Sequence, residues 1–132
     1  MNKNVRTLRL NGALTALAAA AVLAALLFGS VTAAHATTMN RAQAVRKAKE
    51  YLQYQSFSLK GLIGQLKYEG FSTSDATYGA SHSGANWWRQ AVKKARDYLK
   101  MQAFSFSGMV AQLQYEGFTR AQAVYGARAM RL

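Results

Sequence analysis

Carboxylates are the residues of this sequence best suited to acid–base or nucleophilic chemistry, and the chain has five of them. Four form two pairs that are 47 positions apart, Glu50 with Asp97 and Glu69 with Glu116. A glycosidase needs two facing carboxylates about 5–10 Å apart, and nothing in this spacing predicts that two of them meet. His82 has no cysteine to join it, because the chain contains none. We therefore predict no enzymatic activity, no metal or other cofactor, and no small-molecule substrate.

The 47-residue spacing comes from a tandem repeat. Residues 57–71 return as residues 104–118 without a gap, and the wider segments 40–80 and 87–127 share 21 identities in 41 positions. Agreement of this extent indicates duplication of one structural unit. We expect the shared carboxylates Glu69 and Glu116 to fix a turn by a hydrogen bond or ion pair, since a carboxylate at a helix end opposes the helix dipole.

The first 36 residues have the organisation of a secretory signal peptide. Three basic residues precede an apolar stretch from Ala13 to Phe28, and the segment closes with the small-residue motif Ala34-His35-Ala36. The sixteen residues of this stretch, of which only Thr15 is polar, rise only about 24 Å as a helix, less than the roughly 30 Å hydrocarbon core of a membrane. We predict cleavage after Ala36, with cleavage after Ala34 and an uncleaved membrane anchor as alternatives.

The remaining chain is strongly basic. The formal charge is +12 for all 132 residues, and removal of the three basic residues in segment 1–36 leaves 14 basic and five acidic residues, or +9. Such a charge favours anionic partners, among them acidic protein surfaces, cell-wall polymers, anionic lipid and nucleic acid. A role in solubility alone is the alternative.

Three helices are predicted in each repeat. Ala44, Ala48 and Tyr51 belong to one apolar stripe of the first helix, and Asn40 and Asn86 are predicted to cap that helix in the two repeats. The opposite side carries cations at matching positions. These candidate partner-binding residues are Arg46, Lys47, Lys49, Lys93, Lys94 and Arg96.

The second helix is predicted to start after Ser58 or Ser105. Its inward positions are Leu59, Leu62, Ile63 and Leu66, and in the second repeat Phe106, Met109, Val110 and Leu113. Glycines then end the helix, and a short third helix follows, which we expect Gly79 to terminate in the first repeat. We expect the aromatic rings, Tyr68 included, to add buried area. The repeat signature, predicted to be structural, is Tyr68, Glu69, Gly70, Phe71, Tyr115, Glu116, Gly117 and Phe118.

These elements predict an all-α protein with two tandem three-helix, helix-turn-helix-like repeats after an N-terminal signal helix. The predicted organisation is signal peptide 1–36, repeat one 40–80, linker 81–86 and repeat two 87–129. The short linker and the adjacent Trp87 and Trp88 predict that the repeats touch.

A helix-turn-helix unit raises the possibility of DNA recognition, which needs basic or amide side chains on the last helix. Repeat one offers Thr73, Ser74 and Thr77 there, whereas repeat two has Arg120 and Arg128. Because the repeats do not share this feature, sequence-specific DNA binding is not predicted.

The residues Gln65-Leu66 and Tyr68-Glu69-Gly70-Phe71, repeated as Gln112-Leu113 and Tyr115-Glu116-Gly117-Phe118, resemble the Ltp family of host cell surface-exposed lipoproteins. The resemblance extends from Asn40 to about Ala127. It implies a pair of three-helix units displayed outside a Gram-positive membrane. For prophage-encoded members it implies superinfection exclusion without catalysis, by contact with a phage tail protein or the passing DNA.

One departure concerns anchoring. Lipoprotein members need a cysteine just after the cleavage point, and this chain has none. We therefore expect the cleaved protein to be secreted or held at the wall by charge, and the uncleaved one to be tethered by its first helix. The leading hypothesis is an exported binding protein that blocks injection of phage DNA. The alternative is a cationic cell-envelope protein that binds wall polymers or anionic lipid.

Overall fold

The structure is a computed structural model and describes residue 38 and residues 40–132. The predicted signal peptide and its cleavage site lie outside the described residues. Within the described part, every regular element is an α-helix. The all-α prediction and the pair of three-helix repeats are confirmed. The helices are α1 (residues 40–54), α2 (Leu59–Tyr68), α3 (Thr73–Ser81), α4 (Trp87–Met101), α5 (Phe106–Tyr115) and α6 (Arg120–Ala129).

The predicted apolar stripe of the first helix faces the core in both repeats. Ala44 and Ala48 in α1 are fully buried, as are Ala91 and Ala95 in α4. Small residues at these positions let the first helix lie close to the helices that follow it. The periodicity of 3.6 residues was sufficient to identify this face.

Helix starts follow the predicted capping residues, with one exception. The Ser58 hydroxyl accepts a hydrogen bond from the Gly61 N–H at 2.8 Å, and Asn86 Oδ1 accepts one from the Arg89 N–H at 3.0 Å. The prediction that Asn40 caps α1 is wrong, because Thr38 is already helical. Asn86 does cap α4, and Gly84, with φ of +78°, turns the chain just before it.

The second helix of each repeat ends just before the glycine that was predicted to terminate it. Gly70 and Gly117 have φ of +96° and +91°, a conformation that glycine adopts without steric cost. The Phe71 N–H donates to the Leu66 carbonyl at 3.2 Å, and the Gly70 N–H donates to the Lys67 carbonyl at 3.0 Å. This is a Schellman motif, which satisfies the last carbonyls of the helix.

Gly79 does not terminate α3, contrary to the prediction. It lies inside the helix, and a Cβ at this position would come within 2.7 Å of the Ala44 carbonyl carbon. Its counterpart Gly126 faces Ala91 in the same way, at 2.9 Å from the carbonyl oxygen. The glycine is therefore needed for the close approach of the third helix to the first, which a local sequence pattern does not reveal.

Each repeat has its own apolar core. Leu62 and Leu66 lie at the centre of the first core, and Met109 and Leu113 at the centre of the second. Trp87, the first residue of α4, packs against the core of repeat one. The predicted contact between the repeats is thereby confirmed, and residues 39–132 form a single compact unit.

Candidate functional site

The groove between α1 and α4 gathers basic side chains from both repeats. Two depressions of about 350 and 180 Å³ share Leu52, Gln53 and Lys93 in their walls. The basic residues that line them, called the cationic groove below, are Lys49, Arg89, Lys93, Arg96 and Lys100.

One carboxylate, Asp97, lines the groove among these described residues. Its Oδ2 accepts a hydrogen bond of 2.9 Å from the Ser56 hydroxyl, and its Oδ1 lies 3.4 Å from Lys100 Nζ. Five cations thus face one carboxylate that already has partners. The groove offers a positive surface suited to an anionic ligand.

Sequence reasoning identified three of these five cations, Lys49, Lys93 and Arg96. It missed Arg89 and Lys100 because it looked for cations shared by the repeats. Their counterparts are Ala42 and Gln53. The closeness of α1 and α4 would have been needed to find them, since the groove combines different positions of the two helices.

The other predicted cations of repeat one lie away from the groove. Arg46 and Lys47 line a depression of about 440 Å³ together with Glu50 and Glu69. Lys47 Nζ lies 3.4 Å from Glu50 Oε2, and this hydrogen bond raises the pKa of Lys47 above its ordinary value. Cations and carboxylates alternate here, so this depression has no excess of positive charge comparable to that of the groove.

Lys94, also predicted to bind a partner, lies in the junction between the repeats. Its Nζ is 3.6 Å from Glu116 Oε2 and 5.7 Å from the centre of the Phe57 ring. The side chain is 16% exposed. Lys94 contacts the other repeat and is poorly placed to contact a partner.

The signature carboxylates are held by tyrosines of the first helix. The Tyr51 hydroxyl donates to Glu69 and accepts from Gln65 Nε2 at 3.1 Å. The hydrogen bond to Glu69 raises the pKa of Tyr51. This arrangement joins the end of the second helix to the first helix, which is the turn-fixing role expected for Glu69.

Repeat two has the same arrangement. The Tyr98 hydroxyl donates to Glu116 and accepts from Gln112 Nε2 at 2.9 Å. Burial, and then the hydrogen bond to Glu116, raise the pKa of Tyr98. In both repeats, therefore, the signature carboxylate is engaged in joining the second helix to the first.

Tyr68 and Tyr115 do not add to the core, contrary to the expectation for Tyr68. Each side chain is 87% exposed. Tyr68 follows the buried Leu66 by two residues, which is about 200° around a helix, so it points away from the core. The sequence contained this signal, because position 68 is off the stripe formed by residues 59, 62, 63 and 66. Two identical exposed tyrosines are a second candidate contact feature.

The described residues contain no group of three or more histidine, cysteine, aspartate or glutamate side chains placed to hold a metal ion. His82 stacks on Tyr78 with ring centres 3.9 Å apart. No helix within the described part of the chain is both long enough and apolar enough to cross a bilayer.

Comparison with known proteins identifies the family. The family model described as host cell surface-exposed lipoprotein, Ltp, matches residues 40–82 and again residues 86–129. The chain belongs to the Ltp family. This match confirms the resemblance seen in the repeat signature.

A solved relative of the Ltp family has the same fold. It is described as the structure of Ltp, a superinfection exclusion protein from the Streptococcus thermophilus temperate phage TP-J34. The match has a TM-score of 0.64 and 28% sequence identity, and it covers 67% of this chain and 93% of the relative. No curated protein sequence matches the chain significantly.

Proposed function

We propose that this protein is an exported, non-enzymatic binding protein that acts in superinfection exclusion by blocking the entry of phage DNA. Two findings support the proposal. The chain belongs to a family described as surface-exposed, and a relative described as a superinfection exclusion protein matches it over 93% of the relative's length. The family model matches both repeats, residues 40–82 and 86–129.

The cationic groove is the observation that carries the proposed binding mode. Five basic side chains surround one carboxylate, and that carboxylate has Ser56 and Lys100 as partners. The proposed ligand is an acidic protein surface of the incoming phage, such as a tail protein. Charges of this kind accelerate the encounter and select the partner more than they increase affinity.

Localisation is the second part of the proposal. Cleavage after Ala36 gives a product that starts at Thr37 and, without a cysteine for lipid attachment, is retained at the wall by its charge or released. N-terminal sequencing of the protein from a Gram-positive host tests this step. An intact chain starting at Met1 in the membrane fraction would instead support the tethered form.

Phage challenge of a host that expresses the full chain tests the activity. The wild-type protein should reduce plaque formation while phage adsorption stays unchanged. The double substitution Lys49→Gln with Lys93→Gln should weaken protection about tenfold, which corresponds to roughly 1.4 kcal/mol of binding free energy. Lys67→Gln with Arg128→Gln removes the same charge outside the groove and should retain protection.

The proposal fails if the wild-type protein, displayed at the surface, leaves both plaque formation and DNA entry unchanged for every phage that infects the host. The proposed role of the groove fails separately if the groove variant and its charge-matched control protect equally. Expression of each variant at the surface has to be verified by immunodetection, so that loss of protein is not mistaken for loss of binding.

A second candidate is a cationic envelope protein that binds wall polymers or anionic lipid. The net charge of +9 after removal of segment 1–36 favours it. Surface charges are screened by salt. Binding to every polyanion, with steep loss in salt, would support this candidate, whereas binding to one phage protein and not to other polyanions of equal charge would support superinfection exclusion.

A further inference from the structure

The junction between the repeats is asymmetric, because each repeat contributes a different surface. Repeat one contributes the residues just before and at the start of α2, called the helix-start segment below (residues 56–58). Repeat two contributes a receiving surface on α4 and the end of α5, which consists of Gln90, Lys94, Asp97, Glu116 and Gly117.

Three hydrogen bonds and one cation–ring contact hold the segment on this surface. The Phe57 N–H donates to Gln90 Oε1 at 3.2 Å, and the Phe57 ring lies below Lys94 Nζ. The Ser58 hydroxyl donates to the Glu116 carbonyl at 2.6 Å. The Ser56 hydroxyl donates to Asp97 at 2.9 Å. Ser56 and Ser58 are 4% and 2% exposed, so the contact excludes water.

The receiving surface has a nearly identical counterpart on repeat one. Moving back 47 positions gives Gln43, Lys47, Glu50, Glu69 and Gly70, of which Lys47 is half-buried and the others are exposed. All but Gly70 line the depression of about 440 Å³ described above. A Cβ on Gly117 would come within 2.8 Å of Ser58 Oγ, whereas a Cβ on Gly70 would meet nothing within 4 Å. No described residue of the chain therefore covers this counterpart surface as residues 56–58 cover the receiving surface.

The helix-start segment likewise has an open counterpart on repeat two, residues 103–105. Ser58 is buried, but Ser105 is exposed, and its hydroxyl lies 3.3 Å from Ser107 Oγ in the same repeat. Phe106 is 36% exposed, although it was predicted to face inward, while its counterpart Leu59 is half-buried and packs on the core of repeat one.

We propose that the open receiving surface of repeat one binds the open helix-start segment of repeat two in a second copy of the chain. Three of the four internal contacts have a counterpart. The Ser105 hydroxyl would donate to the Glu69 carbonyl, the Phe104 N–H would donate to Gln43 Oε1, and Lys47 would lie over the Phe104 ring. The fourth is lost because Ala103 replaces Ser56.

Association of this kind is head-to-tail. Because the two surfaces differ, a dimer still has one unoccupied receiving surface and one unoccupied segment. Further copies can therefore add at both ends, and chains of molecules grow unless the rotation between copies closes a ring. Inside one molecule the short linker gives each repeat an effective concentration on the order of 1 mM near the other repeat. Copies that are not linked should need comparable concentrations in solution, or a surface that concentrates them.

Sedimentation of the full protein, purified from a secreting host at about 20 µM to about 1 mM, tests the proposal. The weight-average mass of the wild type should rise beyond a dimer. Gln43→Lys removes the acceptor for the Phe104 N–H and adds a charge beside Lys47, so it should abolish the rise. Gln114→Lys makes the same change on exposed α5, where repeat one has a lysine, and should leave association intact.

Restoring the missing contact gives a test in the opposite direction. Ala103→Ser provides the hydroxyl that Ser56 has in repeat one, and Glu50 stands where Asp97 accepts it. The association constant should increase about fivefold, as expected for one added hydrogen bond. A variant that associates no more strongly than the wild type would contradict the assigned register.

Disulfide trapping separates head-to-tail from symmetric contact, since the native chain has no cysteine. Under oxidation, a mixture of Glu50→Cys and Ala103→Cys proteins should form a cross-linked dimer. Ala103→Cys mixed with Gln114→Cys should give only background. A constant monomer mass up to about 1 mM, trapping no greater than that background, or an efficient dimer from Ala103→Cys alone would each overturn the proposal.

Discussion

The hydroxyl of Ser58 in repeat one donates a hydrogen bond of 2.6 Å to the main-chain carbonyl of Glu116 in repeat two. The same oxygen accepts the Gly61 N–H and thereby caps α2. One side chain thus connects a local helix start to a contact 58 positions away. Its counterpart Ser105 caps α5 by the same bond to Gly108, at 3.1 Å, and its other hydrogen-bond partner among the described residues, Ser107, lies in the same repeat.

Substituting Ser58 and Ser105 separately allows the contribution of the junction contact to stability to be measured. Ser58→Ala should lower the free energy of unfolding by about 2 kcal/mol, because it removes a cap and a buried hydrogen bond. Ser105→Ala removes only the cap and should cost about 1 kcal/mol. Urea unfolding monitored by circular dichroism gives both values. Equal losses would mean that the contact to Glu116 contributes nothing to stability.

A second prediction concerns alkaline pH. Burial and the hydrogen bond to Glu116 raise the pKa of Tyr98 above its ordinary value of 10.0. The folded state therefore holds the phenolic proton more tightly than the unfolded state does. The resulting stability is complete below pH 10 and is lost as the pH rises through the folded pKa.

Tyr98→Phe should thus have two effects. At pH 7 it should cost about 1 kcal/mol, since Glu116 loses a donor, and above pH 10 its stability should decline less steeply than that of the wild type. Thermal unfolding at a series of pH values measures both. Tyr54→Phe, at a side chain that is 83% exposed, controls for loss of a surface phenol at pH 7. A parallel decline in wild type and Tyr98→Phe would refute the linkage.

Glycines inside helices should respond to alanine in opposite directions. Gly79→Ala places a methyl group within 2.7 Å of Ala44 and should destabilise the protein by about 1–3 kcal/mol. Gly64→Ala meets nothing within 4 Å and introduces the residue that repeat two has at this position. It should stabilise α2 by up to about 1 kcal/mol. Melting temperatures that shift in the same direction would contradict this assignment.

Lys94 and Lys93 are neighbours in sequence with different roles. Lys94→Gln removes the cation from Glu116 and Phe57 in the junction and should cost about 1 kcal/mol of stability. Lys93→Gln lies in the exposed groove and should change stability by less than about 0.5 kcal/mol while weakening binding to an acidic partner. Unfolding and partner binding, measured on both variants, distinguish the two roles.

The exposed tyrosines give a fifth prediction. Tyr68→Ser and Tyr115→Ser should each leave the free energy of unfolding within about 0.5 kcal/mol of the wild type, because the rings are 87% exposed. If the rings contact the phage protein, the double substitution should weaken protection in the challenge assay. Unaltered protection would restrict the contact surface to the groove.

Local features were predictable from the sequence because the information for them is local. The apolar stripe of α1, the caps at Ser58 and Asn86 and the glycine that ends each second helix all depend on residues within one or two turns. Gly79 shows the limit of such reasoning. A glycine needed for contact with another helix and a glycine that ends a helix have the same local sequence signal.

The groove and the junction were less predictable, because they depend on how α1 and α4 approach each other. Lys47 and Lys94 are equivalent in the two repeats, yet Lys47 lines a surface depression, whereas Lys94 is covered by Phe57. Matching residues differ in environment because the helix-start segment of repeat one contacts repeat two. Arg89 was not predicted from the repeats, because its counterpart in repeat one is not basic.

The two tryptophans provide optical access to the junction without a label. The chain contains no others. Trp87 packs on the core of repeat one, whereas Trp88 is 44% exposed and its ring meets Tyr125 edge-on at 5.4 Å. In a Trp88→Phe variant the emission wavelength would follow the polarity around Trp87 alone. Separation of the repeats would then be visible as a red shift, while loss of the total helix content is recorded separately by circular dichroism.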